Sequence, residues 1–108
     1  MDRDHVFGEL DRSLRRMFKD HPEVKRAVLF GSLARGDHGS RSDADILLVL
    51  SDSPHERFFD RIPDFLPYFS DSDVPVDLFP YTEVEIERME SNGNMLVRRA
   101  MAEGIVID

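Results

Sequence analysis

Three aspartates and one Gly-Ser pair are the residues of this chain whose types and spacing could do chemistry. The pair Gly31-Ser32 follows an apolar run, and after ten intervening residues Asp43-Ala44-Asp45 opens a second apolar run. Asp77 stands inside a third apolar run. In a β-strand, residues two apart point to the same face and lie about 6.6 Å apart along the chain. We therefore expect Asp43 and Asp45 to share a face, which Asp77 joins if its strand lies alongside.

Carboxylate oxygens grouped in this way suit a hard divalent cation. Mg²⁺, or alternatively Mn²⁺, takes such ligands and completes its shell with water and phosphate oxygens. Such a site can hold two ions about 3.5–4 Å apart, one activating the attacking oxygen and the other stabilising the leaving oxygen. Asp43, Asp45 and Asp77 are thus the candidate metal ligands and catalytic residues for metal-assisted phosphate chemistry.

The Gly-Ser pair fits the phosphate side of that chemistry. Gly31 has no Cβ, so a ligand can approach its backbone closely. Ser32 can open a short helix through Arg35, and a helix N-terminus presents unpaired N–H groups and partial positive charge to an anion. Arg35 and Arg41 flank the loop and could hold triphosphate oxygens by forked hydrogen bonds. For Arg35, a purely structural role explains the sequence equally well.

A simpler interpretation exists for each acidic residue taken alone. Asp is frequent in turns, and an Asp-x-Asp pair arises easily by chance in a chain with 22 Asp and Glu residues. Asp71 and Asp73 repeat the spacing inside a Ser-rich turn, and we interpret them as solvated loop. Asp77 is different, because a half-buried carboxylate without a partner costs free energy. Its combination with the Gly-Ser pair favours a metal–phosphate site.

Length, net charge and cysteine content limit the number of domains, the classes of ligand and the cellular location that can be expected. The 108 residues suffice for one domain with one core, which we assign to residues 1–108. The sequence has no cysteine, no recognisable signal peptide and no apolar stretch of membrane-spanning length, so a cytoplasmic location is expected. The formal net charge of −8 argues against broad binding to nucleic acid, which needs a basic surface.

The apolar patterns predict an α/β (α+β) fold in which flanking helices cover one small mixed sheet. Apolar steps of three and four predict the first helix, and continuous apolar runs predict buried strands. Ser53, Pro54 and Glu56 have the form of a capping box, which would start a helix that Pro63 and Pro67 interrupt. The predicted order is helix 4–19, strand 24–30, strand 43–50, broken helix 53–69, strand 74–80, helix 82–92, helix 94–103 and edge strand 105–107.

These motifs resemble those of the minimal nucleotidyltransferases of the DNA polymerase β superfamily. The resemblance rests on Gly31-Ser32-Leu33-Ala34-Arg35-Gly36, on Ser42-Asp43-Ala44-Asp45-Ile46 and on Asp77 in the following strand. It implies a palm-like fold in which Asp43 and Asp45 bind both metal ions and Ser32 binds nucleotide phosphate. By the same resemblance, Asp77 completes the site and helps to activate the attacking hydroxyl. Such enzymes move NMP onto an acceptor and release pyrophosphate.

The resemblance also implies a partner and a substrate. Many single-domain members look like antitoxins that inactivate a helical HEPN ribonuclease by transferring AMP from ATP to a tyrosine. The expected function is therefore Mg²⁺-dependent adenylylation of such a toxin. The alternative is an antitoxin without catalysis, which neutralises its helical partner by forming a complex with it. A partner chain or a self-dimer would supply the contacts that larger superfamily members obtain from a second domain.

Overall fold

The fold is given by a computed structural model that describes residues 3–31, 34 and 43–108. In chain order the elements are α1 (Arg3–Asp20), β1 (Val24–Phe30), β2 (Ala44–Leu50), α2 (Phe58–Phe65), a 3₁₀ helix (Leu66–Phe69), β3 (Val76–Thr82), α3 (Glu83–Ser91), α4 (Met95–Glu103) and β4 (Ile105–Ile107). None of the helices in these described ranges has the length and apolar character that crossing a membrane requires.

The four strands form one mixed sheet in the order β3-β2-β1-β4. β2 runs antiparallel to β1 and parallel to β3, and β4 pairs antiparallel with the other side of β1. β1 and β2 are the inner strands, and helices cover both faces of the sheet there, which explains their nearly continuous apolar sequences. The prediction of a small mixed sheet with flanking helices is confirmed.

Alternation along the strands divides the core into two clusters, one on each face of the sheet. The first cluster joins the sheet to α1, α2 and the 3₁₀ helix, and its members include Val6, Leu10, Leu14, Met17, Ala27, Leu29, Ile46, Leu48, Phe65 and Phe69. The second joins the sheet to α3 and α4, and its buried members are Val28, Phe30, Leu47, Val49, Ile86, Val97 and Ala100. Phe79 and Leu96 are only partly buried on this second face, which leaves room there for a site.

The helices of the second face have well-defined ends. Thr82 and Glu85 form a capping box at the start of α3: the Glu85 N–H donates to Thr82 Oγ1 at 3.2 Å, and the Thr82 N–H donates to Glu85 Oε1 at 2.8 Å. The Asn94 side chain caps α4 by accepting from two backbone N–H groups. At the other end of α4, a Cβ on Gly104 would overlap the Ala100 carbonyl oxygen and the Val28 side chain. Glycine therefore lets α4 end in close contact with β1.

The capping box predicted at Ser53 is wrong, because α2 begins at Phe58. Ser53 Oγ accepts from the His55 N–H at 3.2 Å, which makes a local turn. The carbonyl oxygens of His55 and Glu56, which a helix would use in its own ladder, accept from the Arg61 guanidinium instead. The interruption of this helix is confirmed as two pieces, α2 and the 3₁₀ helix, which end at Phe69; the break lies between Phe65 and Leu66, and Pro63 lies inside α2.

The third strand begins later than the sequence predicts. β3 spans Val76–Thr82 rather than residues 74–80. The Ser72 hydroxyl donates to the Val74 carbonyl oxygen at 2.8 Å, and its oxygen lies 3.3 Å from the Val74 nitrogen. These local hydrogen bonds hold residues 72–74 in a turn, so pairing starts only beyond Pro75.

Candidate functional site

Asp45 on β2 and Asp77 on β3 lie side by side in the sheet. They are partners in the parallel ladder, and neighbours across a ladder point to the same face. Alternation gives the same result, because Leu47 and Phe79, each two residues further along, both belong to the second cluster. Asp45 is half-buried and Asp77 is exposed. Two carboxylates thus share the face that α3 and α4 cover.

Gly31 brings the turn after β1 into contact with Asp45. Phe30, the last residue of β1, is the antiparallel partner of Asp45. The next residue, Gly31, is buried and has a φ of +86°, a conformation that side-chain-bearing residues rarely adopt. A Cβ at Gly31 would overlap Asp45 Oδ2 and would lie 3.2 Å from its Cγ. The absence of a side chain at position 31 therefore gives the Asp45 carboxylate its space.

Asp43 directly precedes β2 and is exposed. The Ala44 N–H donates to the Pro75 carbonyl oxygen at 2.9 Å, which ties the start of β2 to the segment that leads into β3. Because β2 and β3 are parallel, their N-terminal ends lie at the same edge of the sheet. Asp43, Asp45 and Asp77 consequently all lie at or near that edge.

The remaining predicted phosphate ligands, Ser32, Arg35 and Arg41, lie outside the described residues. Their roles stay predictions from the sequence. The three described carboxylates offer only hard oxygen donors, and the exposure of Asp43 and Asp77 leaves them open to a ligand. This donor set fits Mg²⁺ or Mn²⁺, which bind carboxylates together with water and phosphate oxygens.

A cleft of about 450 Å³ adjoins Asp45, and sequence reasoning did not predict it. Its floor crosses β1, β2 and β3, and its wall is formed by α4. The lining residues are Phe30, Asp45, Phe79, Met95, Leu96 and Arg99. One signal in the sequence could have indicated the wall, since Met95 and Arg99 are four residues apart and so lie on one side of α4.

The buried side chain of Arg61, on α2, connects this helix to β3 and to α3. Arg61 is only 3% exposed, and its Nη1 donates to the Pro80 carbonyl oxygen at 3.0 Å and to Glu85 Oε1 at 2.6 Å. The hydrogen bond from Arg61 holds the pKa of Glu85 below its ordinary value, whereas burial raises the pKa of Tyr81. Arg61 thus links α2, β3 and α3 and fixes the strand that carries Asp77.

A separate group of possible metal ligands lies near the start of α1. Among the described residues, His5, Glu9 and Asp73 offer ligand atoms that all lie within 4.8 Å of one another. His5 Nε2 is 3.5 Å from Glu9 Oε1 and 3.4 Å from Asp73 Oδ2. α1 packs on the opposite face of the sheet from Asp45. His5 is exposed, so this grouping is a surface contact between an imidazole and two carboxylates.

The fold and the carboxylate pair beside the Gly31 turn define the class of protein. The chain belongs to the nucleotidyltransferase domain family, whose sequence profile matches residues 9–107.

Two proteins of Methanocaldococcus jannaschii are similar to parts of the chain. The first, named "Putative protein adenylyltransferase MJ0141", is 35% identical over 49 residues, which are 45% of this chain and 48% of the relative. The second, named "Putative protein adenylyltransferase MJ1215", is 33% identical over 58 residues, which are 54% of this chain and 67% of the relative. The match with MJ0141 thus spans about half of that protein.

Two solved structures share the fold. A crystal structure described as a "putative nucleotidyltransferase from Sulfolobus solfataricus" has a TM-score of 0.69 and 21% identity, covering 96% of this chain and 80% of that chain. A chain from a crystal structure described as a "toxin-antitoxin with AMP-PNP" has a TM-score of 0.57 and 22% identity, covering 89% of this chain and 70% of that chain. At these identities, the likeness establishes a common fold.

Proposed function

We propose that the protein is a Mg²⁺-dependent nucleotidyltransferase that transfers AMP from ATP to a hydroxyl of a partner protein. The acceptor proposed is a tyrosine of a helical HEPN ribonuclease, which makes the chain the antitoxin of a cytoplasmic toxin–antitoxin pair. Family membership supports the reaction type, and the names of the archaeal relatives support a protein acceptor. The likeness to a chain from a toxin–antitoxin structure with AMP-PNP supports the nucleotide and the partner.

The observation that carries the proposal is the rung formed by Asp45 and Asp77 beside the turn at Gly31. Adjacent carboxylates on one face repel one another unless protons or cations compensate their charge. The cations would be two Mg²⁺ ions held by Asp43, Asp45 and Asp77. Bound there, Mg²⁺ would neutralise phosphate oxygens and favour ionisation of the attacking hydroxyl.

The transfer itself is a single displacement. The acceptor hydroxyl oxygen forms a bond to the α-phosphorus. The bond from the α-phosphorus to the oxygen that bridges the α- and β-phosphates breaks, and pyrophosphate leaves with the electron pair of that bond. Asp77, which is exposed on the edge strand β3, lies where the acceptor can approach and can take the hydroxyl proton. Gly31 and Ser32 orient the phosphates, and Arg35 and Arg41 are proposed to contact them.

Calorimetric titration with a non-hydrolysable ATP analogue tests this function. We expect binding in the presence of Mg²⁺, loss of binding on adding EDTA, and a strong loss in the Asp45→Asn variant. Asp71→Asn is a suitable control, because Asp71 is exposed in a turn outside the strands. Binding of the analogue that is equally strong in EDTA, or in Asp45→Asn, would contradict the metal site.

A second candidate function is neutralisation of the partner by binding alone, and an exposed apolar surface favours it. A groove of about 540 Å³ beside the 3₁₀ helix has mainly apolar walls, among them Ile62, Leu66 and Val76, and nearby on α2 Phe59 is 66% exposed. If masking suffices, Asp45→Asn will still silence the ribonuclease without ATP, whereas Leu66→Glu will not. If catalysis is required, Asp45→Asn will fail to silence it.

A further inference from the structure

The cleft beside Asp45 differs in character from the carboxylate site that it adjoins. Aromatic rings from two strands line its floor, with the centroids of Phe30 and Phe79 5.9 Å apart and the ring planes inclined at 45°. Its volume of about 450 Å³ lies within the range of about 300–1,000 Å³ that small-molecule sites occupy. Apolar walls with one carboxylate and one cation are typical of a site that binds a flat, partly polar molecule.

The position of the cleft indicates which part of a ligand would enter it. Asp45 belongs both to the carboxylate rung and to the lining of the cleft, and Phe30 immediately precedes Gly31. Phosphates held at Gly31 and Asp45 therefore place the rest of a nucleotide at the entrance of the cleft. Asp77 is not one of the lining residues, so an acceptor hydroxyl approaching Asp77 would come from outside the cleft.

The wall from α4 supplies a cation and a flexible apolar side chain. Arg99 lines the cleft, and its side chain has no hydrogen bond or ion pair with any residue in the described part of the chain. A guanidinium can stack on a base or donate to its ring nitrogens. Met95, which is 65% exposed, stands one turn earlier and can adapt to a ring surface.

We propose that this cleft binds the nucleoside part of the nucleotide, with the base between the Phe30–Phe79 floor and the Met95–Arg99 wall. The inference rests on the proposed function, since it assumes that the phosphates bind at Gly31 and Asp45. If the nucleoside binds there, α4 is the element that makes the protein bind a nucleotide more tightly than inorganic triphosphate. Stacking of a base on Phe79, the partly buried ring of the floor, contributes most of the expected preference.

Two ligands separate the nucleoside contribution from the phosphate contribution. A non-hydrolysable ATP analogue carries both parts, whereas inorganic tripolyphosphate carries only the phosphates. Each is titrated with Mg²⁺ into the wild-type chain, into Arg99→Gln and into its matched control Arg98→Gln, whose arginine is outside the cleft lining. We expect Arg99→Gln to weaken binding of the analogue about tenfold and to leave tripolyphosphate unchanged. Arg98→Gln should leave both affinities unchanged.

A second pair of variants fills the cleft instead of removing a charge. Met95→Trp places a large ring at the exposed rim, and Met101→Trp places the same ring at an exposed position of α4 outside the cleft. We expect Met95→Trp alone to change the affinity for the analogue while leaving tripolyphosphate binding intact. Both positions are exposed, so neither variant threatens folding.

The outcomes separate this inference from the proposed function. If wild type binds both ligands and neither Arg99→Gln nor Met95→Trp affects the analogue selectively, the cleft proposal is wrong while the nucleotide site stands. An equal loss for both ligands in Arg99→Gln would make Arg99 a phosphate contact and would also overturn it. If Arg99→Gln and Met95→Trp bind the ATP analogue normally but transfer AMP more slowly, the cleft would instead be assigned to binding the acceptor. If wild type binds neither ligand, the proposed function and this inference fail together.

Discussion

The carboxylate of Asp45 occupies the space that a side chain at Gly31 would fill. The two residues lie 14 positions apart in sequence, in the turn after β1 and within β2, and the antiparallel pairing of Phe30 with Asp45 brings them together. The turn proposed to bind phosphate and the carboxylate proposed to bind metal are thus in direct contact with each other. Four predictions follow from this contact and from the residues that position it.

The first prediction concerns Gly31→Ala. The new Cβ would push the Asp45 carboxylate aside and would strain a residue whose φ is +86°. We expect the free energy of unfolding to fall by about 1–3 kcal/mol and binding of Mg²⁺ with an ATP analogue to be lost. Gly93→Ala is the matched control, because Gly93 has a φ of +72° but open space around its Cα. It should lose about 1 kcal/mol in urea unfolding and bind normally.

The second prediction concerns the carboxylate rung. Asp45→Asn and Asp77→Asn each remove a charge that the proposed mechanism requires, so either should lower the rate of the proposed AMP transfer at least about 100-fold. Asp77→Asn should not reduce thermal stability in the absence of metal, because Asp77 is exposed and neutralising one of two neighbouring carboxylates relieves repulsion. Transfer is measured by the mass gain of the acceptor, with Asp71→Asn as the control. A wild-type rate in Asp77→Asn would remove that residue from the site.

The sequence indicates the strands that carry Asp45 and Asp77, because period-two alternation and apolar runs depend on neighbours within a strand. It left open whether these two strands are adjacent, and the structure supplies that pairing. It indicated neither the cleft nor the contacts of Arg61. The partners of Arg61 are 19 and 24 residues away, at Pro80 and Glu85, and no local pattern reports such contacts. For the same reason the capping box at Ser53 failed, since Arg61 takes carbonyl groups that a local interpretation assigns to a helix.

The third prediction tests Arg61 as a structural residue. Arg61→Met would remove the guanidinium donor from the carbonyl oxygens of His55 and Pro80 and from the Glu85 carboxylate. We expect a loss of about 3 kcal/mol in urea unfolding, the cost of removing one partner from a buried ion pair. Arg57→Met should change stability by less than about 0.5 kcal/mol, because the partner of Arg57 among the described residues is Asp60, in an exposed pair. Equal losses in the two variants would contradict the role of Arg61.

The fourth prediction concerns acid stability. The Arg61 hydrogen bond depresses the pKa of Glu85 in the folded state below its ordinary value of 4.5. The ionised form therefore stabilises the fold above about pH 4.5, and this contribution is lost as the pH falls through the depressed pKa. Urea unfolding from pH 3 to 7 should show that the advantage of wild type over Glu85→Gln is constant near neutrality and shrinks in acid.

Glu87→Gln is the control for that measurement. Glu87 is exposed on the same helix, α3, so its replacement should change the free energy of unfolding only slightly. An advantage of wild type over Glu85→Gln that stayed constant down to pH 3 would mean that the Arg61–Glu85 pair does not depress this pKa.

The strand that follows α4 limits how ligands can enter and leave the cleft. β4 pairs with β1 from Ile105 to Ile107, and Gly104 joins it to the helix without a spacer. At its other end α4 begins at the Asn94 cap. The helix cannot swing outward unless the edge of the sheet separates, so it is unsuited to act as a hinged lid. Rotamer changes of exposed side chains take picoseconds to nanoseconds, whereas hinge motions take microseconds to milliseconds. A ligand should therefore enter and leave this cleft on the faster timescale, that of rotamer changes in Met95 and Arg99.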